Sequence, residues 1–237
     1  MDKKIAIYPG RFQPMGRHHV EVFKKIQDEY GVENTFISTS NKVDAPRSPF
    51  DFSEKQKIAE AHGIDPSKVV MTKNPYVAKE ILDNFDPDTT AAIYFVGSKD
   101  MEESPRFANL GGLTKKGTPR YFRKFNPQEE LKSFMEHGYI AVAPHVGIDI
   151  KDVGEMSGTA LRTALKDADA NKFERIMGFS DSEVMNMIQA KLSSIEEISS
   201  MGGGSVAGYS APLHKKDEDD LVERVMNYLL KTGDFIK

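Results

Sequence analysis

A chain of 237 residues, 39% hydrophobic and 29% charged, is long enough for one sizeable α/β core and an appendage. Its net charge of −4 excludes an overall electrostatic footprint for nucleic acid, and the absence of cysteine excludes disulfides, thiolate nucleophiles and Cys-based zinc sites. No apolar run approaches the ~20 residues needed to cross a bilayer, and Met1-Asp2-Lys3-Lys4 leads into a strand without a signal-peptide pattern, so a cytoplasmic protein with no nucleic-acid or membrane partner is expected.

In chain order, Ile5, Ala6 and Ile7 predict a buried strand, and Val20, Val22, Phe23 and Ile26 recur at helical spacing. Between them lies Tyr8-Pro9-Gly10-Arg11-Phe12-Gln13-Pro14-Met15-Gly16-Arg17-His18-His19, a Gly/Pro turn that opens onto a helix N-terminus. Unpaired N–H groups and the helix dipole suit that end to phosphate, and Arg11, Arg17, His18 and His19 add donors there. Asn34–Ser40 predicts a second strand, followed by a polar loop that carries Lys42 and Arg47. Asp51 and Glu54 are spaced to cap a helix over Ser53–His62. A short strand is expected at Val69–Met71 and a helix from about Val77 to Phe85.

Ala91–Gly97 is a continuous apolar run, as expected of a central parallel strand buried on both faces. Gly97-Ser98-Lys99-Asp100 ends it, where an open α/β sheet would set it beside the first turn. Asp100 is a candidate for holding a divalent ion, and Lys99 or Arg106 for reaching a phosphate. The basic stretch from Glu102 to Asn126, with Tyr121, Phe122 and Phe125 interleaved, reads as a substrate lid; the alternative is a solvated insertion with an aromatic anchor. Tyr139–Ala143 is a further strand. Ser157 is placed to cap a helix continued by Ala160, Leu161, Ala164 and Leu165; Gly158 allows close approach of an anion, Thr159 adds a hydroxyl, and Arg162 follows one turn later. Strands alternating with helices predict an α/β fold with a doubly wound parallel sheet. His62, His137 and His145 share no metal-ligand spacing and read as structural or surface residues.

Gly10-Arg11-Phe12-Gln13-Pro14, with a histidine five residues later, resembles the first motif of the nucleotidyltransferase superfamily, which ends His-x-Gly-His. Here Gly16 stands at the first His, His18 at the Gly, and His19 at the second His. Ser38-Thr39-Ser40-Asn41-Lys42, Arg47-Ser48-Pro49-Phe50 and Glu54-Lys55 resemble a stretch of archaeal-type nicotinamide mononucleotide (NMN) adenylyltransferases, with Ser48 for Asn and Lys55 for Arg. Met156-Ser157-Gly158-Thr159-Ala160-Leu161-Arg162 resembles the second superfamily signature, Ile-Ser-Gly-Thr-x-x-Arg, with Met for Ile.

The resemblance implies a Rossmann-like nucleotidyltransferase fold over residues 1–178. It implies His19, Arg11 and Arg162 as catalytic residues holding a triphosphate with Mg²⁺, and no metal ligand is assigned to the protein itself. Gly10, Phe12, Gln13, His18, Lys42, Arg47, Gly97, Ser98, Lys99, Asp100, Ser157, Gly158 and Thr159 would surround the nucleotide. The small-molecule substrates would be a nucleoside triphosphate and a phosphate ester, with ATP and NMN giving NAD and pyrophosphate as the expected reaction. A cytidylyltransferase, another adenylyltransferase and a non-catalytic nucleotide-binding module remain alternatives. In a regular helix His18 would be rotated about 200° from position 16, so Arg11 or Arg17 is expected to compensate for Gly16.

Residues 179–237 read as C-terminal helices outside that resemblance, interrupted by a Gly/Ser-rich linker at about 199–215. A last helix over Asp217–Lys231 carries an apolar stripe fit to dock on the domain or on a partner, which leaves a homo-oligomer open. The ending resembles the tails of proteins from large bacteriophages.

Overall fold

The computed structural model describes residues 1, 3–98, 101, 107, 109–114, 117–146 and 158–201. Lys99, Asp100, Arg106, Lys115, Lys116, Ser157 and the expected last helix lie outside the described residues.

Six parallel strands form one sheet: β1 (Lys3–Pro9), β2 (Thr35–Thr39), β3 (Val69–Met71), β4 (Thr90–Val96), β5 (Phe122–Lys124) and β6 (Gly138–Val142), in the spatial order β3-β2-β1-β4-β6-β5. The chain winds outward from β1 to β3, then crosses back to lay β4 on the other side of β1. That reversal opens a crevice beyond the carboxyl ends of β1 and β4, where doubly wound sheets take their ligands. The register pairs Ile7 with Tyr94, so the turns after both strands leave the sheet at one level.

The helices are α1 (Arg17–Tyr30), α2 (Phe52–Ala61), α3 (Lys79–Leu82), α4 (Gly158–Lys166), α5 (Ala170–Met177) and α6 (Ser182–Met201). They cover both faces, which explains the uninterrupted apolar strands. Ala6, Tyr8, Ala91, Ile93 and Phe95 face a core built with α1, α2, α4, α5 and α6. Ile5, Ile7, Ala92, Tyr94 and Val96 face a second core with Ile81, Leu82, Tyr121, Phe122 and Phe134. Asp51 and Glu54 cap α2 reciprocally, as their spacing predicts: Glu54 N–H donates to Asp51 (2.9 Å) and Asp51 N–H to Glu54 (2.8 Å).

Two expectations are corrected. The helix expected over Val77–Phe85 is one turn, Lys79–Leu82, because Ala78 takes a left-handed backbone (φ 48°) that cannot continue a helix, and asparagines hold backbone groups on either side. Asn74 accepts from Tyr76 N–H at 3.0 Å, and Asn84 donates to the carbonyls of Glu80 and Ile81. The end of the stretch expected to form a lid is the edge strand β5, with Tyr121 and Phe122 buried and the Tyr121 hydroxyl bonded to Phe134 O at 2.7 Å. The first helix after residue 178 packs on the domain: Val184, Ile188 and Leu192 of α6 belong to the larger core. Ion pairs Lys191–Glu54 (2.9 Å) and Lys57–Glu183 (3.5 Å) add to its contact with α2. Ser199, Ser200 and Met201, expected to start the linker, are the last residues of α6.

Candidate functional site

The turn after β1 is held from three sides. Gly10 N–H donates to Ser38 O at the end of β2 (3.0 Å). Phe12 adopts a left-handed backbone (φ 46°) and turns its ring inward, edge-on to Tyr8 and His19. The ring passes so close that a Cβ on Gly10 would lie 2.7 Å from it, which is why only glycine fits there. Gln13 is buried, and its side-chain amide makes two bonds with Phe50: Nε2 donates to Phe50 O (2.8 Å) and Oε1 accepts from Phe50 N–H (2.7 Å). Phe12 and Gln13, expected around the nucleotide, instead brace the turn and tie it to the Pro49-Phe50 loop.

Helix α1 starts from Gly16 in an extended conformation (φ −101°, ψ 167°). Glycine has no side chain to cap the helix, so half of a capping box remains: Gly16 N–H donates to His19 Nδ1 at 3.1 Å. That bond puts the proton of the neutral His19 ring on Nε2. The N–H groups of Arg17 and His18 have no partner among the described residues, as expected of a helix start. Burial holds the pKa of His19 well below the usual histidine value, and neighbouring His18 and His62 push it the same way. Burial also lowers His18.

The second anion segment meets the first. Arg162, on α4, donates from Nη1 to the Gln13 carbonyl at 2.8 Å and from Nη2 to Thr159 Oγ1 at 3.3 Å. Its guanidinium lies near the position a Cβ on Gly158 would take (3.4 Å), and buried Leu161 packs beside Gly16. Burial and then Arg11 lower the Arg162 pKa. Two guanidinium groups thus repel each other at the mouth of the crevice. Among the described residues neither has a carboxylate partner. A multivalent anion would relieve that repulsion.

Gly97 and Ser98 are exposed at the end of β4, on the neighbouring edge of the same crevice. Lys42 and Arg47 are exposed, Arg47 inside the small loop closed by the Asp44–Ser48 bridge and Lys42 two residues before it, with no bond to the first turn among the described residues. Arg17 points away: its side chain lies along Gly178, the C-terminal cap of α5, with Cδ 3.1 Å from where a Cβ would be. Arg17 is therefore excluded as the compensation for Gly16. The idea that His18 is turned away also fails, because Gly16 is an extended N-cap outside the helical rotation.

Two residues were not legible as part of this region. Lys55, which the resemblance only aligned, is buried and donates to Ser40 O (2.6 Å) and Thr39 Oγ1 (3.3 Å), pinning the end of β2. Burial lowers its pKa to about 8, against a raising influence from Asp51. His62 of the α2 C-cap bonds Met15 O at 3.2 Å and meets Phe179 edge-on, so it buttresses the turn from behind. The helical spacing that marks α2 gives no hint of either, since both partners come from distant strands and turns.

No family model matches the chain. It is 37% identical over 71 residues to nicotinamide-nucleotide adenylyltransferase 1 of Sulfolobus acidocaldarius, a match that covers 28% of this chain and 40% of that relative. Among solved structures it overlaps nicotinic acid mononucleotide adenylyltransferase of Plasmodium falciparum complexed with NaAD, at 14% identity and a TM-score of 0.46 over 82% of this chain and 98% of that one. It also overlaps a bifunctional NMN adenylyltransferase/ADP ribose pyrophosphatase of Francisella tularensis, at 16% identity and a TM-score of 0.44 over 84% of this chain and 56% of that one. Overlaps that loose carry no argument about activity. The sequence match thus spans less than half of the Sulfolobus relative, and the likeness to that adenylyltransferase is confined to this stretch.

Proposed function

We propose that this chain is a nucleotidyltransferase that joins ATP to NMN, forming NAD and pyrophosphate. One observation carries the reading: Arg162 reaches the Gln13 carbonyl and so gathers two cationic segments at the switch point of a doubly wound sheet. The name of the Sulfolobus relative supports the choice of ATP and NMN.

In this reaction an oxygen of the acceptor phosphate attacks the α-phosphorus, the bond to the bridging oxygen breaks, and pyrophosphate leaves. Phosphoryl chemistry of this kind depends mostly on positioning and charge neutralisation. Arg11 and Arg162 take the negative charge that collects on the leaving pyrophosphate, and His19 donates from Nε2. The free N–H groups at the start of α1 bind phosphate oxygens. Gly10, Gly158 and Thr159 line the approach, with Gly97 and Ser98 facing them across the crevice; Lys42 and Arg47 meet the substrate from the loop after β2. Mg²⁺ would enter with the nucleotide, held by its phosphate oxygens. Lys99, Asp100 and Ser157 belong to the same proposed site.

The test is pyrophosphate release from purified protein, run with each of the four common nucleoside triphosphates against NMN and other phosphate esters. Turnover with ATP and NMN above every other pair is the expected result. Preference for CTP moves the protein to cytidylyl transfer, and binding of ATP without turnover on any acceptor makes it a nucleotide-binding module.

A further inference from the structure

The imidazole of His18 occupies the space that a side chain at position 16 would need. A Cβ on Gly16 would lie 3.2 Å from both Cε1 and Nδ1 of His18 and 3.0 Å from Leu161 Cδ2. His18 folds back over the glycine because Gly16 is extended and helical side chains lean toward the N-terminus. Its ring lies tilted by 40° against that of His19 with centroids 3.8 Å apart, so the two imidazoles sit side by side at the helix start. His19 Nδ1 is taken by the Gly16 N–H, whereas His18 Nδ1 is buried and has no partner among the described residues. A buried ring nitrogen without a partner is costly unless something binds it.

We propose that positions 16 and 18 are an exchanged pair: His18 fills the volume that Gly16 leaves and supplies a phosphate-binding nitrogen beside His19. The proposal rests on the reading of this crevice as a triphosphate site and makes His18 a further catalytic residue there. It also accounts for Gly16, because a larger residue would collide with the ring that now does the work. The chemical class recognised is a polyphosphate, pyrophosphate or the β,γ-phosphates of a nucleotide.

The decisive experiment is an exchange cycle in the full chain: His18→Gly, Gly16→His, and the double variant that carries both. ATP and pyrophosphate binding are measured alongside turnover, with thermal unfolding as the check on folding. Each single variant is expected to lose ~10-fold or more in pyrophosphate affinity, and the double variant to recover most of it, because contacting residues couple strongly. A double variant as weak as the worse single would overturn the exchange. In the wild-type chain, the ring ¹⁵N signals of His18 should shift when pyrophosphate is added, a readout that needs no variant to fold. Unmoved His18 signals with intact pyrophosphate binding would overturn the role of His18 and leave the proposed reaction standing. Shifted signals without turnover on any acceptor would instead sink the reaction and keep the site. A wild-type chain that binds neither pyrophosphate nor ATP would overturn both.

Discussion

Arg162 and His19 reach the crevice by different routes, and that difference sets what their loss should do. The Arg162 guanidinium is held by Gln13 O and Thr159 Oγ1 and stands against Arg11, so it joins α4 to the first turn and, in the proposed reaction, would meet the phosphates. His19 is fixed by the Gly16 N–H and presents Nε2. Loss of one preorganised donor to a transition state costs roughly 10²–10³ in turnover. His19→Ala and Arg162→Ala are each expected to lower pyrophosphate release by ~10²-fold. Arg162→Lys should recover little, because one ammonium cannot hold two acceptors in the planar fork geometry. Near-normal rates in both alanine variants would refute the assignment of the crevice. The buried histidines also make a pH prediction. Burial lowers His62 to about 4 and lowers His18, His19 and His137. Below the unfolded value of about 6.5, and for His62 down to about 4, the unfolded chain binds more protons than the folded one, so stability falls as pH drops below about 6.5. Each fully shifted group can add up to ~1.4 kcal/mol per pH unit to that slope. Denaturant titrations between pH 7 and pH 4 should show the fall, and His62→Gln should make it shallower; an unchanged slope would mean that His62 is not neutral in the fold.

At the scale of elements, α6 and β5 show what the packing adds. α6 lays Val184, Ile188 and Leu192 into the same core as Leu161, Leu165 and Phe173. It therefore supports α4, the helix that holds Arg162. Ile188 is fully buried, and truncating such a residue costs about 2–5 kcal/mol. Ile188→Ala should lower the melting temperature by roughly 4–20 °C in a chain of this size and weaken turnover at temperatures where the wild type is intact. A melting temperature within a degree of wild type would show that α6 is not part of the cooperative unit. β5 closes the far edge of the sheet beyond β6, and its Phe122 meets Tyr94 edge-on across the second core. That packing accounts for the aromatic residues in a stretch otherwise rich in Lys and Arg.

For the whole molecule, the boundary that matters lies after α6. The core includes residues up to Leu192. A chain ending at Met201 is therefore expected to stay folded and to keep its nucleotide binding, whereas one ending at Gly178 should be insoluble or unfolded. Thermal unfolding and ATP binding of the two truncations test this. Loss of folding in the longer one would show that residues after 201 complete the core. The large-scale order was legible in the chain itself. Apolar runs at Ile5–Ile7 and Ala91–Val96 mark strands covered on both faces, the Asp51/Glu54 spacing marks the start of α2, and each is set by residues within a few positions of one another. The two motifs were equally local, which is why Arg11, His19 and Arg162 could be singled out as candidates from sequence. The tertiary structure alone decided how they are used. Gln13 turns from the nucleotide to Phe50, Arg17 turns to Gly178, and His18 folds back over Gly16. Each outcome depends on which distant backbone group or empty volume lies within reach, and local periodicity holds no record of that.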